Sequence, residues 1–167
     1  MVYLRRGLEI DPDHFALHLN LGSVYQRLNQ LEPALTHTDE AIRLHPTLFN
    51  SHFQRAQILF MIGRLADAAD SLKTTIEYDT KNQPAYSLLV VTLTRLNRFG
   101  ELEETLKQMI NFFPGTPDPH AMLASLYREL GRIEEARAII NRAMDLYPGN
   151  RQFIDMKNSL SLPSSSP

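Results

Sequence analysis

The chain has 167 residues and a net charge of −2, from 17 basic and 19 acidic side chains, and it contains no cysteine. That removes disulfides, thiolate metal sites and a thiol nucleophile, and the balanced charge, free of like-charge runs, argues against the basic stripe of a nucleic-acid binder. No apolar stretch approaches the roughly 20 residues that span a bilayer, and the first residues lack the apolar core of a secretory signal; a soluble, cytoplasmic protein is expected, with the periplasm or secretion left open.

Taken in chain order, residues 1–12 read as one short helix carrying Leu4 and Leu8 and stopped by Pro12. From there a period of 34 residues governs the chain. Pro12, Pro46, Pro114 and Pro148 fall on one ladder whose missing rung is Thr80. A second ladder of the same step holds Asn29, Gly63, Asn97 and Gly131, the two residue types that most readily adopt the left-handed conformation ending a helix. Leu28, Ile62, Leu96 and Leu130 precede it, and Leu31, Leu65, Phe99 and Ile133 follow two residues later.

The spacing predicts two antiparallel helices per unit. In the fourth unit Leu123, Leu126, Tyr127 and Leu130 share one face of the first helix, and Ala136, Ile139, Ile140, Ala143 and Met144 one face of the second. Four such units fill residues 13–148. A final helix over 149–162, with Phe153, Ile154 and Leu160, is expected to cap the array, and 163–167 is too rich in Ser and Pro to order itself.

The columns resemble the tetratricopeptide repeat, in which small and aromatic residues recur around W-x2-L-G-x2-Y, A-x3-F and a closing proline. The first unit supplies Leu21, Gly22, Tyr25, Ala34, Ala41 and Pro46; the fourth supplies Leu123, Ala124, Tyr127, Ala136, Ala143 and Pro148. The second departs at Arg55 and Thr80, and the third carries larger residues such as Val90, Leu102 and Met109. The resemblance implies an all-α, right-handed superhelical solenoid of helix hairpins, with residues 1–12 as the second half of a preceding unit.

It also implies a concave wall, built from the first helix of each unit, that binds a peptide or a partner helix. By position, the first unit contributes Leu19, Ser23 and Arg27, and the second Asn50, Phe53, Gln57, Phe60 and Met61. Ser87, Val91 and Arg95 come from the third unit, and Ala121, Ser125 and Arg128 from the fourth. Phe53, Phe60 and Met61 would form an apolar centre and the three arginines would pair with carboxylates.

Two specialised versions of the family are disfavoured. Leu19, Ser23, Gln54, Pro84 and Leu88 stand where a carboxylate clamp needs Lys, Asn and Arg, and the column Asn20, Gln54, Leu88, Met122 breaks the asparagine ladder of glycosyltransferase-type arrays.

No nucleophile–base pair, glycine-rich phosphate loop or metal motif is present, so neither an enzyme nor a cofactor is expected. His14 and His18 lie four residues apart, but two ligands are too few for a metal site. His18, His52 and His120 share a column that usually packs a large apolar side chain, so burial is expected to lower their affinity for protons. The leading function is therefore a non-catalytic protein-interaction scaffold. The alternatives are a homo-oligomerisation module whose edge is Leu4 and Leu8, and the accessory repeat domain of a larger enzyme or assembly complex.

Overall fold

A computed structural model describes residues 1–161; residue 162 and the Ser/Pro-rich stretch 163–167 lie outside the described residues. Ten α-helices and no strand occur among the described residues. They are α1 (Val2–Ile10), α2 (Phe15–Arg27), α3 (Leu31–Leu44), α4 (Phe49–Ile62), α5 (Leu65–Tyr78), α6 (Gln83–Arg95), α7 (Phe99–Phe112), α8 (Asp118–Glu129), α9 (Ile133–Leu146) and α10 (Arg151–Ser161).

Local chemistry sets the helix ends. Asn29, Gly63, Asn97 and Gly131 all have positive φ, between 56° and 89°. The residue after each donates its N–H to a carbonyl five positions back: Gln30 to Tyr25, Arg64 to Leu59, Arg98 to Leu93 and Arg132 to Tyr127, at 2.8 to 3.0 Å. This is the six-to-one bond of the Schellman cap, which satisfies a carbonyl orphaned by the helix end. The apolar closure expected beside these caps is uneven, since Leu28 and Leu130 are 55% and 41% exposed, whereas Ile62 and Leu96 are half-buried.

The second helices end two residues before each proline of the ladder, and the proline disfavours helical geometry in the single residue between. Thr80 breaks the ladder without extending α5. There the Asp79 carboxylate accepts from Lys81 N–H and from the Asn82 carboxamide, and Asn82 Oδ1 accepts from Ala85 N–H to cap α6. Side-chain turn chemistry replaces the steric stop.

The described chain forms two compact units, Met1–Arg98 and the residues from Phe99 onward. In the first, α2 packs on α3, α3 on α4, α4 on α5 and α5 on α6, around Leu21, Tyr25, Ala34, Leu35, Ile58 and Leu59. Each fully buried leucine or isoleucine contributes about 2 kcal/mol by leaving water. Gly22 permits the closest approach: a Cβ there would stand 2.5 Å from Thr38 Oγ1 and 3.3 Å from the Ala34 carbonyl.

In the second unit α7 packs on α8, α8 on α9 and α9 on α10. Phe153 of α10 is fully buried against Ala121, Ala124, Ile140 and Ala143, with Met156 and Leu160 at its margin. Ile154, expected to face inward, is 39% exposed instead. It sits one position off the stripe set by Phe153, Met156 and Leu160.

Candidate functional site

Helices α2 and α4 are the first helices of successive hairpins, and their exposed faces enclose an open concavity of about 620 Å³. From α2 come Leu19, Asn20, Ser23, Gln26 and Arg27; from α4 come Asn50, Phe53, Gln54, Gln57 and Met61. Within each helix these positions recur every three or four residues, so one face presents them all.

The floor is polar and tied together. The Gln54 carboxamide, buried, accepts from the Ser23 hydroxyl at 2.9 Å and donates to the Leu19 carbonyl at 3.3 Å. Met61 is 48% exposed, with its sulfur 3.7 Å from Gln26 Nε2, and Phe53 is half-buried. Apolar surface therefore alternates with carboxamides, and Arg27 is exposed at the rim. The sequence places Gln54 at a groove position, but its tie to Ser23 on the neighbouring helix depends on packing that periodicity does not record.

Phe60 lies outside this lining. It packs against the Leu21–Leu59 cluster, and the Arg95 guanidinium of α6 stacks 4.6 Å from its ring centroid. Two residues expected as separate contacts are thus one cation–π pair. Ser87 and Val91 of α6 are exposed beside Arg95.

On α8, Arg128 is exposed and Ser125 half-buried, but Ala121 is only 5% exposed and belongs to the core around Phe153. Ala121 therefore presents no side chain to a ligand, a correction to its placement on the wall.

Arg27, Arg95 and Arg128 form no ion pair among the described residues. In contrast, Arg43, Arg55, Arg64, Arg132 and Arg137 each pair with a carboxylate.

Leu4 and Leu8 of α1 are partly buried against the Leu21–Leu35 cluster of the first unit. The apolar side chains that α1 does expose are Val2 at 75%, Tyr3 at 88% and Ile10 at 83%.

The histidines are packing residues with distinct partners. Nε2 of His18 lies 2.9 Å from the Pro12 carbonyl and Nε2 of His52 lies 2.6 Å from that of Pro46, six residues back in both cases. His14 stacks on Phe15. His18 Nδ1 faces His37 Nδ1 at 3.0 Å, so one ring must donate and the other accept. His37 binds protons less readily than usual, first through burial and then through the charges of His18 and Arg5. His120, 1% exposed, is likewise lowered, by burial first and by Arg142 second, against a weaker pull from the Thr116 carbonyl.

Profiles of the tetratricopeptide repeat match residues 19–86 and 103–160. A curated relative, the STIP1 homolog of Dictyostelium discoideum, is 28% identical over 78 residues, covering 47% of this chain and 14% of that protein. The tetratricopeptide repeat and J domain-containing co-chaperone DNJ1 of Cryptococcus neoformans var. grubii is 28% identical over 87 residues, covering 51% of this chain and 17% of its own length. The chain thus spans about a sixth or less of these relatives. Among solved structures, a crystal structure of MamA superposes with a TM-score of 0.72 at 21% identity, covering 86% of this chain and 84% of that one, a likeness of fold.

Proposed function

Because the chain belongs to the tetratricopeptide repeat family, we propose that it is a protein-interaction scaffold whose first unit holds a partner segment in the concavity between α2 and α4. One observation carries the reading. That face combines a half-exposed Met61 and a half-buried Phe53 with the carboxamides of Asn20, Asn50 and Gln57 and with Arg27, which no carboxylate of the described chain engages. Desolvating a guanidinium is unfavourable unless an acceptor arrives with the ligand, so the fitting segment brings an apolar anchor and a carboxylate. Carboxamides at Asn20, Asn50 and Gln57 can bond the main chain of an extended peptide.

The test is selection of a random peptide library on the native protein, followed by affinity measurement with Phe53→Ala and Arg27→Glu. Selected peptides are expected to carry an acidic residue near a large apolar one and to lose about tenfold or more in affinity to each variant. Peptides that bind both variants as tightly as the native protein would remove the reading.

A second reading, self-association, rests on the outer face of α1, where Val2, Tyr3 and Ile10 are exposed together. Light scattering against concentration decides it: a mass that rises for the native chain and stays flat for Tyr3→Glu supports association, and a flat native mass rejects it.

A further inference from the structure

The histidine column has one member without its usual partner. His18 and His52 each reach the carbonyl of a proline six residues earlier. In the fourth repeat that carbonyl, Pro114, accepts instead from the Tyr147 hydroxyl at 2.7 Å, and Tyr147 stands edge-on to the His120 ring. Among the described residues His120, 1% exposed, has no well-formed hydrogen bond at either ring nitrogen, only a weak pull from the Thr116 backbone. A buried imidazole in that condition is unusual enough to need a reason.

His120 lines a second concavity, of about 460 Å³, between α7 and α9. Its walls are apolar at Ile110, Leu123 and Ile139, and it carries Asn111, Lys107 and Arg142. No carboxylate side chain lines it among the described residues. Lys107 is engaged by Glu103 at 2.7 Å, but Arg142 is exposed and makes no ion pair among the described residues.

Two repeat lengths earlier, the same place between α3 and α5 acts as an internal control. There the concavity of about 350 Å³ includes Asp39, Asp70, Arg55 and His52. Arg55 pairs with Asp39 at 2.7 Å and donates to the Ser71 hydroxyl at 2.7 Å, and His52 has the Pro46 carbonyl. Its central polar groups have partners within the chain. In the second unit the corresponding pocket has apolar walls, an unsatisfied imidazole and an unpaired guanidinium.

We propose that the pocket of Ile110, His120, Leu123, Ile139 and Arg142 binds a small organic carboxylate, its apolar body between the isoleucines and its carboxylate between Arg142 and the His120 ring. The carboxylate supplies the acceptor that this repeat lacks, Arg142 pairs with it through two N–H groups, and Asn111 donates from the side. The pocket lies within the second unit and on other helices than the peptide concavity, so either proposal stands without the other.

The experiment uses the whole chain and two isosteric probes, hexanoate and hexanamide, followed by NMR of the histidine ring nitrogens and the isoleucine methyls. Hexanoate is expected to shift the His120 ring and the methyls of Ile110 and Ile139, and to bind at least about tenfold more tightly than hexanamide. Arg142→Ala, an exposed substitution that leaves the core intact, is expected to remove that preference; His120→Phe, with folding checked by circular dichroism, is expected to weaken hexanoate by a similar factor. Equal binding of the two probes, an Arg142→Ala variant that keeps the preference, or no response to hexanoate up to about 50 mM overturns the proposal.

Discussion

Around α4, in the first unit, polar groups are settled in pairs: Arg55 with Asp39 and Ser71, His52 with the Pro46 carbonyl, Gln54 with Ser23. Around α8, in the second, one carboxylate collects them. Glu103 of α7 accepts from Arg132, from Lys107 at 2.7 Å and from the Tyr127 hydroxyl at 2.9 Å, while Arg132 lies 4.3 Å over the Tyr127 ring and also binds Glu135. The same repeat geometry thus tolerates dispersed or centralised polar chemistry. What differs is the cost of losing one residue, because a hub leaves several groups unmatched at once.

The sharpest test of this difference lies at the capping helix. Phe153→Ala empties a fully buried site and is expected to cost the second unit about 4 kcal/mol. Hydrogen exchange should then accelerate in α8 and α9 and remain unchanged in α2 to α4. Equal acceleration in both regions would break the comparison, since each repeat is held mainly by its neighbours.

Gly22→Ala probes the first unit in the same way. Thr38 cannot yield easily, being fully buried with its hydroxyl bonded to the Ala34 carbonyl at 2.8 Å, so about 2 kcal/mol of overpacking is expected in chemical denaturation. The corresponding position in the second unit is Ala124, where the side chain is already accommodated at 1% exposure. Ala124→Gly should cost only about 1 kcal/mol, from backbone freedom.

Glu103→Gln is expected to destabilise by about 1.5 kcal/mol, more than Asp39→Asn, whose partner Arg55 retains Ser71. The hub also has an acid signature. Its hydrogen bonds from Arg132 and Lys107 hold Glu103 down from 4.5 to about 2. A depressed carboxylate stabilises the fold above its ordinary value and loses that contribution as pH falls from about 4.5 toward 2. Thermal melts of the native chain should steepen there, and those of Glu103→Gln should not.

The smallest effect is expected nearer neutrality. His37 and His120 both bind protons less readily folded than at their ordinary value of 6.5. Their neutral forms cost nothing above that pH, and stability declines as pH drops below it, because the unfolded chain takes up the protons first. A loss of stability between pH 7 and 5 is therefore expected, smaller in His37→Asn than in the native chain. A pH-independent midpoint would show that neither burial matters to folding.

The 34-residue period, read from Asn29, Gly63, Asn97 and Gly131, announced helical hairpins because it rests on local conformational preference: those positions need a left-handed backbone in any packing. The columns of small residues at Gly22, Ala34, Ala41 and Ala136 were legible for a similar reason, since close helix approach excludes larger side chains at once. Part of the candidate site was visible too, because Leu19, Ser23, Asn50, Phe53 and Gln57 share one face at helical spacing.

Tertiary packing decided the rest. It took Phe60 out of the concavity and placed it under Arg95, turned Leu4 and Leu8 inward, sank Ala121 into the core, and brought Tyr147 to the carbonyl that His120 would otherwise have used. Each of these outcomes depends on a side chain from another helix. Periodicity records which face of a helix is apolar but carries no record of which distant atom reaches a given polar group first.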